Sequence, residues 1–367
     1  MEASADRRLV AGRYVLGGSL GRGGMGTVWR ADDVLLGRPV AVKEVELPGG
    51  PPGADREAAS GRALREARAA ARLNHPGAVT LHDVVEADGR LYLVMELVDA
   101  PTLRELVERS GPLAPAAAAR VGLELLAALD AAHRAGIVHH DVKPANVMVT
   151  ADGRVKLADF GIASLQDDTQ RTLGMAGVGG GAGDRTMTAA FGSLPYVAPE
   201  QAGDRRAGPA ADLWALGATL WFAVEGAPPF QRPSPAATLA AILRDPPGRP
   251  WRAGPLEPVL LALLAKDPAQ RPSAAALRRL LEPLAGTARL PVASAPTEVL
   301  AGPAPPPGCW SPSGCWRWWR WRPTWARPTG GSGDRPGWAT RCGTASSSSW
   351  SARWPAGPAR WARAWPP

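Results

Sequence analysis

The segment 139–146, with the sequence His-His-Asp-Val-Lys-Pro-Ala-Asn, constrains this chain more than any other. It places a carboxylate at Asp141, an ammonium at Lys143 and a side-chain amide at Asn146. Phosphoryl transfer needs such a set, since it combines a base for an incoming hydroxyl, a cation for developing charge and a neutral oxygen ligand for Mg²⁺. A purely structural loop is the alternative. On the first interpretation, the fold must hold all three side chains around one reacting centre.

A glycine-rich segment lies near the start of the chain. Residues 21–28 read Gly-Arg-Gly-Gly-Met-Gly-Thr-Val, which spaces Gly21, Gly23 and Gly26 as Gly-x-Gly-x-x-Gly. Glycines let backbone N–H groups approach phosphates closely, because no Cβ stands in the way. A plain hairpin turn and a dinucleotide-binding loop are the alternatives. The second is disfavoured because residues 27–30 continue into a strand, whereas that motif opens a helix.

The segment Val40-Ala41-Val42-Lys43 is predicted to be a strand, with Ala41 and Lys43 on one face. A small residue beside a Lys leaves room for a planar base, with an ammonium near its phosphates. The alternative is an ordinary strand whose Lys snorkels to solvent. Glu66, in the predicted helix 56–73, could pair with Lys43. The alternative is that Glu66 forms a solvent-exposed ion pair with one of the neighbouring Arg residues.

Hydrophobic periodicity divides the chain into a strand-rich first third and a mainly helical remainder. The predicted strands are 14–18, 28–32, 39–45, 79–86 and 90–96, and short strands and loops are expected in 137–149 and 154–158. The predicted helices are 56–73, 102–108, 115–135, 209–225, 238–244, 257–265 and 273–284. Between them, the Gly- and Thr-rich segment 166–192 is a long loop, and such loops are often functional. The pattern indicates an α+β protein with two lobes.

Later motifs complete an ordered set. Asp159-Phe160-Gly161 follows a predicted strand, and Ala198-Pro199-Glu200 follows the long loop. Taken with the earlier motifs, the order resembles that of protein kinases. The form Lys-Pro-x-Asn is similar to the serine/threonine branch, and the chain resembles the bacterial eukaryotic-like (Hanks-type) kinases of actinobacteria. The resemblance covers about residues 12–285, and implies the bilobal protein-kinase fold, with a small β-rich N-lobe that has one key helix (12–97) and a larger, mainly helical C-lobe (98–285).

The resemblance implies a non-specific serine/threonine protein kinase that uses ATP with Mg²⁺ or Mn²⁺ and acts on proteins. Asp141 would orient the substrate hydroxyl and accept its proton. Lys143 would neutralise the transferred phosphoryl group. Lys43, held by Glu66, would contact the ATP phosphates. The metal ligands implied are Asn146 and Asp159.

The resemblance also implies an adenine pocket between the lobes. Met95 would be the gatekeeper, and Glu96 and Val98 would offer backbone groups at the hinge. The full set expected around ATP is Leu20, Gly21, Gly23, Gly26, Val28, Ala41, Lys43, Met95, Glu96, Val98 and Met148. On the substrate side, Ser193 would bond near Asp141. Glu200 and Arg271 would form a buried structural ion pair.

The chain departs from the family pattern at His140, where many kinases carry Arg. That Arg grips a phosphate on the activation loop bidentately, whereas His bonds at a single point and is only partly charged near neutrality. The candidate phosphorylation sites on the loop are Thr169, Thr172, Thr186 and Thr188. Autophosphorylation, within a kinase-domain homodimer, is expected to switch activity less sharply than in relatives with Arg. A pseudokinase that acts as a scaffold or nucleotide sensor, and a small-molecule kinase, are the competing functions.

The net charge of +8 comes from the C-terminal tail. Residues 309–367 contain nine Arg and one acidic residue, which leaves 33 basic and 33 acidic residues in 1–308. No specific nucleic-acid partner is therefore expected. All three Cys are in the tail, so neither disulfides nor a Cys metal site can support the fold before it. Without an apolar run of about 18 residues or an apolar leader, the chain as written is expected to be soluble and cytoplasmic.

The tail itself is unusual. After a Pro/Ala-rich linker at 286–308, residues 309–367 are a Trp/Arg-rich low-complexity segment with 11 of the 15 Trp. It could bind nucleic acid or membrane, be a disordered tail, or be the product of a shifted reading frame. The last is favoured, because a two-base shift over 308–322 with codons ending in G or C gives charged residues followed by an apolar run. The intact product would then be a single-pass membrane protein with a cytoplasmic kinase domain.

Overall fold

The computed structural model describes residues 8–23, 26–45, 61, 64–65, 67–160, 193–202, 208–288 and 290. All of them belong to one compact unit, Met1–Val299. Strands dominate up to residue 96 and helices dominate after it, so the predicted two-lobed α+β architecture is confirmed. The Trp/Arg-rich tail lies outside the described residues.

The N-terminal lobe is built on a six-stranded antiparallel sheet with the order β1-β2-β3-β4-β6-β5. Its strands are β1 (Leu9–Val10), β2 (Tyr14–Gly23), β3 (Gly26–Asp33), β4 (Arg38–Val45), β5 (Leu81–Ala87) and β6 (Arg90–Glu96). The β5–β6 turn has φ of 50° at Asp88 and 66° at Gly89. Asp-Gly favours this left-handed turn, which matches the twist of the two strands it joins.

The two faces of β4 differ as the alternation predicted. Val40 and Val42 are fully buried in one cluster with Tyr92, whereas Ala41 is buried on the other face with Met95. A helical segment at 67–70 packs on the Ala41 face. Lys43 is only 3% exposed, so its ammonium does not snorkel to solvent.

Strand β2 is longer than predicted. It continues past residue 18 to Gly23, because Gly21 pairs with Val28 and Gly23 pairs with Gly26 across the hairpin. Much of the glycine-rich segment is therefore strand rather than turn, and residues 24–25 lie outside the described part. At Gly26 φ is +121°, and a Cβ there would lie 1.8 Å from the backbone oxygen of Glu44. Only glycine fits this position.

The C-terminal lobe contains six α-helices in the described ranges and one short hairpin. The helices are α1 (Leu103–Ser110), α2 (Pro115–Arg134), α3 (Pro209–Glu225), α4 (Pro235–Arg244), α5 (Glu257–Leu263) and α6 (Ala274–Ala285), and the hairpin is β7 (Val147–Val149) with β8 (Val155–Leu157). Helix α3 is buried on nearly all sides, as expected of a helix that is apolar all round. None of these helices has the length and apolarity needed to cross a bilayer.

Three helices begin at residues other than those predicted, and in each a side chain caps the observed N-terminus. Thr102 and Ser273 are not the first helical residues but N-caps, since their side chains accept hydrogen bonds from the backbone N–H groups of Glu105 and Ala276. Helix α4 begins at Pro235 rather than at residue 238. Ser234 caps it, and proline at the first helical position has a φ already suited to the helix.

Candidate active site

Four polar side chains meet at the loop between α2 and β7. Lys143 Nζ lies 2.7 Å from Asp141 Oδ2 and 2.7 Å from the hydroxyl oxygen of Ser193. Asn146 Nδ2 donates to the backbone oxygen of Asp141 at 2.8 Å and to Asp141 Oδ2 at 3.0 Å. Both side-chain bonds end on Oδ2. Oδ1 of Asp141, without a hydrogen-bond partner among the described residues, is the oxygen left to meet a substrate group.

Asp212 in helix α3 anchors this loop from the core. Its Oδ2 accepts from the backbone N–H of His139 and its Oδ1 from that of His140, both at 2.8 Å. His133 Nε2 also donates to Oδ2 at 2.7 Å. Burial would raise the pKa of Asp212, but the hydrogen bonds from His133 and from the loop backbone hold it below its usual range. The carboxylate is thus charged and fully occupied.

His139 connects the loop to the end of β8. Its Nδ1 accepts from the backbone N–H of Asp141 at 3.2 Å, and its Nε2 donates to the backbone oxygen of Ala158 at 2.8 Å. These two bonds assign the neutral tautomer with hydrogen on Nε2. The ring also packs edge-on against Phe160, with centroids 4.6 Å apart. Ala158, the residue before Asp159, is thereby tied to His139, two residues before Asp141.

A second ion pair lies across the cleft from Asp141. Lys43 Nζ in β4 is 2.8 Å from Oδ2 of Asp159, which follows β8. Burial would raise the pKa of Asp159, but the Lys43 ammonium holds it below its usual range. Asp159 has a φ of +66°, a strained conformation of the kind that clusters at functional sites.

The sheet register aligns the predicted adenine-pocket residues. Ala41 pairs with Met95 across β4 and β6, and Val28 pairs with Lys43 across β3 and β4. In the other lobe, Met148 lies in β7. The residues predicted to line the adenine pocket therefore come from both lobes.

The segment 96–98, called the hinge below, begins at the last residue of β6 and joins the two lobes. Glu96 donates its backbone N–H to Thr80 at 2.9 Å. Its carboxylate contacts Lys156 of β8 at 2.7 and 2.9 Å. This ion pair was not predicted from the sequence.

The predicted ion pair between Glu200 and Arg271 is present. Nη1 of Arg271 is 2.6 Å from Oε1 of Glu200, and Nη2 is 2.8 Å from Oε2, so the pair is bidentate. The Arg271 side chain has no exposed surface. Arg271 also donates to the backbone oxygen of Ala210, which fastens segment 199–202 to α3.

Comparison with known proteins decides the family. Residues 14–280 match the family described as "Protein kinase domain". The chain belongs to this family. A probable serine/threonine-protein kinase, SCO3848 of Streptomyces coelicolor, is 39% identical over 278 residues, covering 72% of this chain and 39% of the relative.

Two further kinases are similar. The serine/threonine-protein kinase PknB of Mycolicibacterium smegmatis is 39% identical over 279 residues, which cover 73% of this chain and 42% of PknB. The serine/threonine-protein kinase PknD of Mycobacterium tuberculosis is 38% identical over 264 residues, which cover 71% of this chain and 37% of PknD. The chain spans about two fifths of the length of these relatives. They confirm the resemblance to bacterial Hanks-type kinases.

Several residues predicted from the kinase pattern lie outside the described part. Glu66 is one of them, so its pairing with Lys43 stays a prediction. The four loop threonines are also outside: Thr169, Thr172, Thr186 and Thr188. Among described pocket residues, Leu20 is 53% exposed, whereas Met95 is buried.

The donor set fits a divalent metal of the kind that the kinase family uses. Asn146 bonds through Nδ2 and so keeps its amide oxygen as a ligand atom. The ionised Asp159 supplies carboxylate oxygen. Hard oxygen donors of this kind suit Mg²⁺, which takes one or two protein groups and completes its shell with water and phosphate.

Sequence reasoning assigned no role to Asp212, His133 or His139. The signal for Asp212 was present, because it is the only acid among the first sixteen residues of the otherwise apolar helix α3. A buried carboxylate in such a helix must be hydrogen-bonded. Which donors it binds depends on tertiary contacts that the sequence does not encode locally.

Proposed function

We propose that this chain is a serine/threonine protein kinase that transfers the γ-phosphoryl group of ATP to Ser and Thr hydroxyls of proteins. The observation that carries the proposal is one hydrogen-bonded chain, which runs from Asn146 through Asp141 and Lys143 to Ser193. Its kinase domain comprises about residues 12–285. The competing pseudokinase lacks support, because Lys43, Asp141, Asn146 and Asp159 are all present.

Asp141 is proposed to accept the proton of the substrate hydroxyl. Two donors already hold its Oδ2, which fixes the plane of the carboxylate and leaves Oδ1 for the incoming hydroxyl. Fixing the base in advance removes an entropic cost from the reaction. One of these donors, the Lys143 ammonium, is charged, and the other is the neutral side-chain amide of Asn146.

Lys143 is proposed to stabilise the negative charge that develops on the transferred group. Its ammonium lies between Asp141 and Ser193, where the substrate hydroxyl must arrive. A compact ammonium with three donors can keep one bond to Asp141 and turn another toward phosphate oxygens. Ser193 limits where the ammonium can move.

Lys43 and Asp159 are proposed to act on the nucleotide. Lys43 is buried and charged beside Asp159, and it would turn to the ATP phosphates. Mg²⁺ or Mn²⁺, when bound by Asn146 and Asp159, neutralises phosphate charge. Gly21, Gly23 and Gly26 would offer backbone N–H groups to the same phosphates.

The adenine is proposed to bind between the lobes. The apolar walls are Leu20, Val28, Ala41 and Met148, with Met95 as gatekeeper, and the backbone groups of Glu96 and Val98 provide hydrogen bonds. Protein substrates include the chain's own activation loop, phosphorylated within a transient kinase-domain homodimer. The kinase unit is proposed to act in the cytoplasm, where ATP is available.

Labelled ATP, Mg²⁺ and a generic protein substrate test the proposal. We expect wild-type protein to incorporate label at Ser and Thr, and Asp141→Asn to lose it while remaining folded. Asp152→Asn is the matched control, because Asp152 is an exposed acid in the β7–β8 turn. Nucleotide binding without transfer would support a pseudokinase, and transfer only to small molecules would contradict protein kinase activity.

A further inference from the structure

An ion pair joins the hinge to the C-terminal lobe. Lys156 Nζ lies 2.7 Å from Oε1 and 2.9 Å from Oε2 of Glu96. Glu96 is the last residue of β6, and Lys156 is the middle residue of β8, so the contact crosses between the lobes. We propose that the Glu96–Lys156 pair is a hinge latch that positions the backbone groups that bind the adenine of ATP.

On the N-lobe side, two hydrogen bonds with Thr80 hold Glu96. Its backbone N–H donates to the oxygen of Thr80 at 2.9 Å, and its Oε2 accepts from the N–H of Thr80 at 3.3 Å. Lys156 then holds both carboxylate oxygens from the other lobe. Because main chain and side chain are both held, the peptide that follows Glu96 has a restricted orientation. That peptide is the start of the hinge.

On the C-lobe side, the latch is attached to a rigid hairpin. Lys156 pairs directly with Met148 across β7 and β8. The next residue, Leu157, donates to the oxygen of Gly77 at 2.8 Å and accepts from Val79 at 2.9 Å. The segment 77–80 is thus tied to the same strand that holds Lys156. The latch therefore sets the hinge relative to the residue proposed to lie under the adenine.

The pair is shielded enough to contribute energy. The Lys156 side chain is 19% exposed and the Glu96 side chain 31% exposed. Water screens such a pair less than a fully exposed one. Neither side chain bonds to Asp141, Lys143 or Asn146, so the latch acts on nucleotide binding rather than on proton transfer.

The inference rests on the proposed function for the identity of the nucleotide, but its test does not require turnover. Lys156→Met and Glu96→Gln each remove one charge of the latch. The probe is methylanthraniloyl-ADP with Mg²⁺, titrated by fluorescence. We expect its Kd to rise about fivefold in each variant, which corresponds to about 1 kcal/mol for a partly buried pair. In Lys156→Met the KM for ATP should rise similarly, with kcat within about twofold of wild type.

Three comparisons separate a latch from a general loss of stability. The double variant should bind ADP no more weakly than either single variant, because both remove the same interaction. Lys156→Arg should bind ADP as wild type does. Arg154→Met is the matched control: its pair with Asp152, at 2.6 Å, lies in the same hairpin but is exposed and does not include Glu96.

Base selectivity gives the decisive readout. Hinge backbone groups distinguish adenine from guanine, so loosening the hinge should weaken binding of methylanthraniloyl-ADP more than that of methylanthraniloyl-GDP. Equal weakening of both, or an unchanged Kd for ADP, would overturn the latch, as would wild-type protein that binds no ADP. If the variants lose ADP binding more than GDP binding but wild-type protein phosphorylates no protein, the latch is supported and the proposed function is overturned.

Discussion

Asp212 Oδ2 accepts a hydrogen bond at 2.8 Å from the backbone N–H of His139, 73 residues earlier in the chain. The same carboxylate holds the next N–H, that of His140, on its other oxygen. Helix α3, the most buried helix of the described C-lobe, therefore fixes the backbone just before Asp141. The position of the proposed base depends on a charged group in the core.

Replacing Asp212 with Asn should uncouple the loop from the core. An amide offers one acceptor oxygen to three donors and turns its NH₂ toward another N–H. We expect kcat to fall at least about tenfold and the free energy of unfolding to fall by about 3 kcal/mol, as when one partner of a buried charged network is lost. Urea unfolding and steady-state kinetics on folded protein measure the two effects.

Asp130→Asn is the matched control for that experiment, because Asp130 forms only a surface pair with Arg134 on α2. It should leave kcat unchanged and shift stability by less than about 0.5 kcal/mol. A destabilised Asp212→Asn variant with wild-type kcat would show that the anchor supports folding but not catalysis.

Arg271 should contribute to the folding stability of the protein and not to catalysis or ATP binding. It is buried and makes a bidentate pair with Glu200, so Arg271→Met leaves a carboxylate without its main partner. We expect a loss of about 3 kcal/mol in the free energy of unfolding. At temperatures where the variant is folded, KM for ATP should stay close to wild type. A large rise in that KM would contradict the structural role.

Gly26 should tolerate no side chain. Its φ of +121° and the 1.8 Å approach of a Cβ to Glu44 require the hairpin to move in Gly26→Ala. We expect KM for ATP to rise about tenfold and stability to fall by about 2 kcal/mol. Gly18→Ala is the control, because a Cβ there meets no atom within 4 Å. Equal effects of the two substitutions would refute the steric argument.

The sequence predicted most of the fold because periodicity and turn chemistry agree with tertiary structure. Strand β6 and helix α3 have their predicted bounds, since Asp-Gly and Pro mark their starts and a glycine follows α3. In the site, the motif around Asp141 correctly predicted which side chains cluster, because residues so closely spaced in one loop already lie near one another. The Glu96–Lys156 and Asp212–His139 contacts could not be predicted. Each joins residues at least 60 positions apart, and only tertiary packing determines such pairs.

Lys266 should give stability an alkaline pH dependence. Burial lowers its pKa to about 8; Arg271 acts in the same direction, and Asp245 opposes both. Below pH 8 the ammonium is charged in both the folded and the unfolded protein, so burying the charge lowers the free energy of unfolding. From about pH 8 to the unfolded pKa of about 10.4, the folded protein has released the proton and the unfolded chain has not. The free energy of unfolding should therefore rise with pH in this window, relative to Lys266→Met.

Urea unfolding between pH 7 and 10 measures the difference in the free energy of unfolding between wild type and Lys266→Met. Other groups titrate equally in both proteins, so their contributions cancel from this difference. The ammonium also donates to the backbone oxygen of Ala241 at 3.3 Å and lies 4.0 Å from the Phe230 ring centroid. A difference that stays flat with pH would mean that these contacts keep the pKa of Lys266 near its usual value.

His140 should weaken control by loop phosphorylation. Its backbone N–H and oxygen are engaged by Asp212 and Gln201, and its Nδ1 is buried without a hydrogen-bond partner in the described part of the chain. A phosphate on the activation loop can gain at most a single charge-assisted bond from this ring, on the order of 1.5 kcal/mol. We therefore expect the variant with Ala at all four loop threonines to keep at least about a tenth of the wild-type kcat.

The variant His140→Arg isolates that effect, because it replaces a ring that bonds at a single point with a bidentate guanidinium at the same position. With Arg present, a phosphorylated loop gains a bidentate partner, and an unphosphorylated loop leaves the guanidinium unpaired. The ratio of kcat between protein with the four threonines and protein with four alanines should therefore be larger in the His140→Arg background. Complete loss of activity in the four-alanine variant with His140 in place would show that loop phosphate controls this kinase without an Arg at position 140.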